Sequence, residues 1–176
     1  MKLTWFGGTT LRLHIGGEVI VTDADGAEHG IERTELLGAA DRELPLKAPR
    51  SLAVANLKNW RPARRGSALE DDTAPDVQLF DAGGAILIDA PGEKTLLIVT
   101  GDVEAPGRWI LDAVVVLFGD GEALMRRGRG LLGTLPPKVL VLAGEAGDVE
   151  AAFADLRELL EDTALLAMEK GLALEI

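Results

Sequence analysis

The stretch MKLTWFGGTTLRLHIGGEVIVTD (residues 1–23) contains the pattern that decides the fold. Leu11, Leu13 and Ile15 alternate with polar residues, and this alternation is typical of a strand with one buried face. Gly16 and Gly17 supply a tight turn, because glycine accepts the positive φ angles that such turns need. The stretch therefore predicts three strands in an antiparallel meander that ends at Asp23.

Composition limits the classes of protein to which the chain can belong. Its 176 residues are enough for one domain, so residues 1–176 are treated as a single domain. The net charge of -11 argues against partners such as nucleic acid or an anionic membrane surface. The chain has no cysteine, which removes disulfides and every zinc site that needs sulfur. With neither a signal peptide nor a membrane span in the sequence, we expect a cytoplasmic protein.

Short apolar runs and helical patterns alternate in the later part of the chain. Further strands are predicted at 51–56, 77–80, 85–89, 95–99, 113–118, 139–142, 164–167 and 172–176. Helices are predicted at 31–37, 106–111, 122–132 and 148–161, the last with Asp148 as its N-cap, and 59–76 reads as a surface loop. Hairpins followed by strand–helix units predict an α/β sandwich with its helices on the outside.

Several segments carry a resemblance to a known family. Residues 1–25 and the segment GGAILIDAPGEKTLLIVTGDVE (83–104), with the strands that follow to residue 176, resemble metallo-β-lactamase-fold hydrolases. The branch is the one similar to L-ascorbate-6-phosphate lactonase. The resemblance implies a truncated αββα sandwich in which two mixed β-sheets pack face to face. It also implies that Asp102 matches the aspartate that bridges two metals in the family.

The chain departs from this family at its metal ligands. The His-x-His-x-Asp-His signature is absent, and the only histidines are His14 and His29. Gly8 stands where the family has a histidine, and Glu145 follows the late strand where another is expected. Because catalytic zinc needs about three protein ligands, mostly histidines, we expect a degenerate site without an active zinc centre and without a cofactor. The resulting hypothesis is a non-catalytic binding or assembly role, with a homo-oligomer as the expected assembly.

A metal-dependent hydrolase with a rebuilt centre is the first alternative. A glycine and an acid follow each of three apolar strands, at Asp102, Asp120 and Glu145, and Asp23 ends the meander. Carboxylates at one edge of a sandwich suit hard cations such as Mg²⁺ or Ca²⁺. The same residues are also common turn formers. His29 lies close in sequence to Asp23 and Asp25, and it fits either a general base beside a carboxylate or a solvated loop residue. His14 is expected at the surface.

Binding of a small anion is the second alternative. Arginines cluster in two places in this acidic chain, at Arg61, Arg64 and Arg65 and at Arg126, Arg127 and Arg129. Grouped guanidinium ions suit phosphate or carboxylate groups of a small molecule or of a protein partner. The same clusters also suit a solvated surface that balances the neighbouring acids. The sequence identifies neither the ligand nor the partner.

Overall fold

The computed structural model describes residues 1–28, 30–46, 52–62 and 76–176. Within these ranges the chain forms twelve strands and three α-helices. The strands are β1 (Lys2–Trp5), β2 (Leu11–Ile15), β3 (Glu18–Thr22), β4 (Arg42–Leu44), β5 (Ala53–Val54), β6 (Gln78–Asp81), β7 (Ala85–Asp89), β8 (Leu96–Val99), β9 (Val114–Phe118), β10 (Val139–Ala143), β11 (Ala164–Ala167) and β12 (Ala173–Glu175). The α-helices are α1 (Arg33–Leu36), α2 (Gly121–Leu132) and α3 (Ala146–Leu156).

The strands form two mixed sheets. The five-stranded sheet has the order β12-β1-β2-β3-β4, and it is antiparallel except for the parallel pair β3 and β4. The seven-stranded sheet has the order β11-β10-β9-β8-β7-β6-β5, with β8 to β11 parallel to one another. The predicted meander of residues 1–23 is confirmed as β1, β2 and β3. The predicted α/β sandwich of two packed mixed sheets is confirmed as well.

The core has two layers because the central strands of the seven-stranded sheet are buried on both faces. Ile88, Ile98 and Val116 point toward the five-stranded sheet, where they pack with Leu13 and Ile20. The residues at alternate positions, including Leu97 and Val115, pack instead with the inner faces of α2 and α3. This burial explains why these strands read as continuous apolar runs. The outer face of the five-stranded sheet is covered more lightly, by a small cluster around α1.

Several predicted elements differ from the structure in extent. Helix α3 begins at Ala146, so Asp148 lies in its first turn and Glu145 occupies the N-cap position. The helix ends at Leu156, and a 3-10 turn follows, which leaves Leu159 40% exposed. The helix predicted at 106–111 is a 3-10 helix over Arg108–Asp112. The strand predicted at 51–56 is only two residues long, and Ser51 lies outside the described residues.

The two closing strands exist as predicted, but they belong to different sheets. β11 is an edge strand of the seven-stranded sheet, and β12 pairs with β1 in the five-stranded sheet. Residues 168–172 therefore cross from one sheet to the other, and Lys170 lies on this crossing. Among the described residues, no helix is long and apolar enough to span a lipid bilayer.

Candidate functional site

The carboxyl ends of β8, β9 and β10 lie along one edge of the seven-stranded sheet, because these neighbouring strands are parallel. Asp102, Asp120 and Glu145 follow these strands, so the expected placement of three acids at one edge is what the structure contains. Each of the three carboxylates, however, contacts a different partner. Within the described ranges, no three side chains of the metal-ligating types are grouped closely enough to hold an ion.

Asp102 is the candidate bridging aspartate, and its side chain is largely in solvent. The side chain is 84% exposed, and its Oδ1 atom lies 3.6 Å from an Nη atom of Arg126. That distance is too long for a hydrogen bond and describes a loose surface ion pair. Asp102 therefore lies beside a cation rather than beside other ligating oxygens.

Asp120 has a structural task at the start of α2. Its Oδ1 atom accepts a hydrogen bond of 2.8 Å from the backbone N–H of Ala123. This is the geometry of a side chain at the N-cap, and it satisfies one of the free N–H groups in the first turn of the helix. The turn-forming interpretation of this Gly-Asp pair therefore accounts for Asp120.

Glu145 takes part in a small ionic cluster with Lys170, which sequence reasoning did not single out. The Lys170 ammonium group donates a hydrogen bond of 2.8 Å to Oε1 of Glu145 and another to Oε1 of Glu28. It also lies 5.4 Å from the centre of the Trp5 ring, within the range of a cation–π contact. Hydrogen bonds to Glu145 and then to Glu28 raise the pKa of Lys170 above its ordinary value. We call these four residues the Lys170 cluster.

The Lys170 cluster adjoins the position where the resemblance places a lost histidine. The indole N–H of Trp5 donates a hydrogen bond of 3.0 Å to the backbone carbonyl of Gly8. Gly8 has a φ of +52°, and a Cβ atom there would lie 3.2 Å from the carbonyl oxygen of Gly26. A side chain at this position would be strained, because the left-handed region favours glycine.

Asp23 is bound by groups of the neighbouring loops. Its Oδ2 atom accepts a hydrogen bond of 2.6 Å from the hydroxyl of Thr9, and its Oδ1 atom accepts one of 2.9 Å from the N–H of Leu46. Its backbone carbonyl also accepts a hydrogen bond from the hydroxyl of Thr10. Asp23 has a φ of 38°, so these bonds hold a residue in the left-handed region. The Asp23 side chain thus connects the loop between β1 and β2 with the segment that follows β4.

Zinc does not fit the residues that the structure brings together. His14 is exposed on β2, and His29 lies outside the described residues. Asp25 is 86% exposed and pairs with Arg33, so its side chain points to the solvent. An oxygen-only site for a harder cation would need several of the candidate acids to converge, but Asp102, Asp120 and Glu145 contact separate partners.

The three arginines of the second group, Arg126, Arg127 and Arg129, do not lie on the same side of α2. Arg129 forms a two-pronged ion pair with Asp155 of α3, and the hydrogen bond to Asp155 raises the pKa of Arg129. Arg126 and Arg127 instead line a groove at the other side of the helix. In the first arginine group, Arg61 donates to the carbonyl of Trp60, while Arg64 and Arg65 lie outside the described residues.

Comparison with known proteins gives one informative match. The chain resembles a crystal structure from Thermotoga maritima that is described as that of a zinc-dependent hydrolase of the metallo-beta-lactamase superfamily. The alignment covers 96% of this chain and 99% of that one, with a TM-score of 0.50 and 16% sequence identity. The chain has a metallo-β-lactamase-like fold. No family model and no curated protein matches the chain.

In this metallo-β-lactamase-like fold, the residues at the sheet edge are the candidates for a functional site. At 16% identity the likeness establishes the arrangement of strands and helices, and it carries no information about activity. Function in this fold must be argued from side chains. At this edge the Lys170 ammonium group contacts both Trp5 of β1 and Glu145, which follows β10, and these contacts are a cation–π contact and an ion pair.

Proposed function

We propose that this chain is a metallo-β-lactamase-fold protein that has lost the zinc centre and serves a non-catalytic role in binding or assembly. The observation that carries the proposal is the Lys170 cluster. A lysine ammonium group contacts Glu28 and Glu145 at the edge where the resemblance places metal ligands. A positive charge supplied by the chain itself there balances acids that would otherwise favour a bound cation.

The side chains that could ligate zinc are too few, and this supports the same proposal. The whole sequence has two histidines and no cysteine, so nitrogen and sulfur ligands for two zinc ions are lacking. Asp23 and Asp120 are committed to hydrogen bonds with backbone N–H groups, and metal binding would have to break those bonds. The backbone at Gly8 has further adopted a conformation that disfavours a histidine.

The assembly part of the proposal concerns the edges of the two sheets. Val54, in the edge strand β5, is 84% exposed, and Leu172, next to the edge strand β12, is 59% exposed. Open sheet edges with apolar side chains favour pairing with a second chain. We propose a homo-oligomer on this basis, and sedimentation analysis of the purified protein tests it. A strict monomer at all concentrations would contradict it.

The experiment that tests the loss of zinc is elemental analysis of protein purified without a chelator and without an affinity tag. We expect less than about one-tenth of an equivalent of any transition metal, because a folded zinc site would retain its metal. Added Zn²⁺, Mn²⁺ or Mg²⁺ is expected to leave Tm unchanged. Near-stoichiometric metal would contradict the proposal and favour the alternative of a metal-dependent hydrolase around Asp102.

A catalytic control completes this test. Wild-type protein and the Asp102→Ala variant are assayed with phosphate esters and lactones, with and without added metal. We expect both proteins to give the rate of the uncatalysed reaction. Hydrolysis by the wild type that is lost in Asp102→Ala would show that a rebuilt centre exists.

A further inference from the structure

A groove of about 310 Å³ lies between α2 and the segment 102–106 that follows β8. One wall of this groove is apolar and is formed by Val99, Val103, Pro106 and Leu131. The groove is also lined by four charged residues, Arg126, Arg127, Asp102 and Glu104. The volume is at the lower end of the range for small-molecule sites, and the combination of an apolar wall with a few charged groups is typical of them.

Arg127 supplies a positive charge and forms no ion pair with a carboxylate among the described residues. Its two terminal nitrogens donate hydrogen bonds to backbone carbonyls at the ends of the neighbouring strands, 2.6 Å to Phe118 and 3.0 Å to Thr100. Its Nε atom is buried without a hydrogen-bond partner among the described residues. Carbonyl groups satisfy donors but leave the charge of the guanidinium group in place. Charged groups that are partly removed from water are normally paired, and Arg127 is half-buried, so the site favours an anion.

Arg126 is placed to take up such an anion directly. Its side chain is 55% exposed, and its only described ion pair is the loose 3.6 Å contact with Asp102. An anion that forms two parallel hydrogen bonds with this guanidinium group would replace a weak contact by a stronger one. Arg129, three residues further along the same helix, is already occupied by Asp155 and points away from the groove.

The charges around the groove favour a ligand with a single negative charge. The formal charges of Asp102 and Glu104 offset those of the two arginines, so the lining of the groove has no net charge in a chain of net charge -11. A dianion such as phosphate would be repelled by the two acids, whereas a carboxylate adds one negative charge and matches the fork of an arginine. The apolar wall favours a ligand whose remaining part is hydrocarbon.

From these observations we infer that the groove binds a small organic carboxylate, with its charged end at Arg126 and Arg127 and its apolar end against Val103 and Leu131. The inference gives the proposed binding role a ligand class. The two are tested separately, since metal content decides whether the zinc centre is lost, and affinity for carboxylates decides this inference.

The experiment is a titration of the wild-type chain with hexanoate, hexanamide and inorganic phosphate, followed by NMR. Hexanamide has nearly the same shape as hexanoate without the charge, and phosphate has charge without an apolar part. We expect hexanoate to bind and to shift the amide signals of Gly130 and Thr134, which line the groove. The Kd of hexanamide is expected to be at least about tenfold higher, because the charge-assisted hydrogen bonds are lost.

Three variants locate the binding site. Arg126→Gln is expected to weaken hexanoate binding at least about fivefold, since one of the two cations is removed. Arg129→Gln makes the same change of charge on the same helix outside the groove, and its affinity is expected to equal that of the wild type. Glu104→Gln removes a repelling acid from an exposed position and is expected to strengthen binding, a result that misfolding cannot produce.

The inference is overturned if hexanamide binds as tightly as hexanoate, since the arginines would then have no part in recognition. It is equally overturned if phosphate is the stronger ligand, if the two arginine variants weaken binding equally, or if no probe shifts the groove signals. None of these results would change the expected metal content.

Discussion

The Nζ atom of Lys170 lies 2.8 Å from Oε1 of Glu145 and joins the crossing segment to the end of β10. Glu28, which lies in the loop between β3 and α1, shares the same ammonium group. The lysine is thus a cationic link between the two halves of the sandwich. Because exposed ion pairs contribute little and are screened by salt, we expect this link to orient the segment more than to stabilise the fold.

The first prediction concerns the pH dependence of this link. The pKa of Lys170 is raised in the folded protein, so its contribution is fully present below its ordinary pKa of about 10.5. The contribution is lost as the pH rises through the raised value. Lys170→Met is therefore expected to unfold at a slightly lower urea concentration than the wild type at pH 8, since the contribution of an exposed ion pair is small. The difference is expected to vanish at strongly alkaline pH.

Lys138→Met is the control for this experiment, since Lys138 is exposed and lies outside the cluster. It is expected to match the wild type throughout. A stability difference for Lys170→Met that persists unchanged beyond the titration of lysine would mean that the ion pairs are not its cause.

The second prediction concerns Asp23. Asp23→Ala removes the acceptor for the Thr9 hydroxyl and for the Leu46 N–H, and it places alanine at a positive φ. We expect a loss of about 2 kcal/mol in the free energy of unfolding, as for hydrogen bonds to a charged group. Urea denaturation followed by circular dichroism measures it. Asp25→Ala is the matched control and is expected to cost less than about 0.5 kcal/mol, since that side chain is 86% exposed.

The third prediction concerns Gly8. Restoring the histidine that the resemblance expects, as Gly8→His, should cost about 1 kcal/mol or more, because the residue must adopt a left-handed backbone near the Gly26 carbonyl. Gly8→Asn should cost less, since asparagine tolerates this conformation. Calorimetric titration with Zn²⁺ should show no binding to either variant. Tight zinc binding by Gly8→His would reveal further ligands close to this position.

The fourth prediction compares two glycines of α2. Gly130 has open space where a Cβ atom would be, so Gly130→Ala is expected to stabilise the protein by about 0.5–1 kcal/mol through helix propensity. At Gly128 the Cβ atom would lie 2.5 Å from a methyl carbon of Leu156, which is fully buried in α3. Gly128→Ala should therefore be the less stable of the two variants. Equal gains in Tm would show that the two helices have room to separate.

The fold could be predicted from the sequence because the pattern of apolar residues within each strand is enough to identify that strand. The alternation from Leu11 to Ile15 marks a strand with one buried face, and the unbroken run from Val114 to Phe118 marks one buried on both. The same reasoning correctly put Asp102 and Glu145 at one sheet edge. The ends of the elements are predicted less accurately. The sequence predicts Asp148 as the N-cap of α3, whereas the helix begins at Ala146 and has Glu145 at that position.

The partners of the candidate residues were not predictable from sequence. Lys170 is separated from Glu28 by 142 residues, and only the tertiary fold brings them together. Arg127 and Arg129 belong to one arginine group and are two positions apart. Two positions correspond to a rotation of about 200° around a helix axis. They therefore point in nearly opposite directions, one toward the strand ends and the other toward Asp155. Spacing indicated the arginine group, but the structure divides it.

The pairing of β1 with β12 has a consequence for the order of folding. Lys2 pairs with Glu175 and Thr4 with Ala173, so β1 has a neighbour on only one side until residues 173–175 have been synthesised. Contacts between residues so far apart in sequence slow the search for the native state. During synthesis the hydrogen-bonding groups on the open side of β1 would be exposed to other nascent chains. Closure of this sheet by β12 therefore has to wait for the synthesis of residues 173–175.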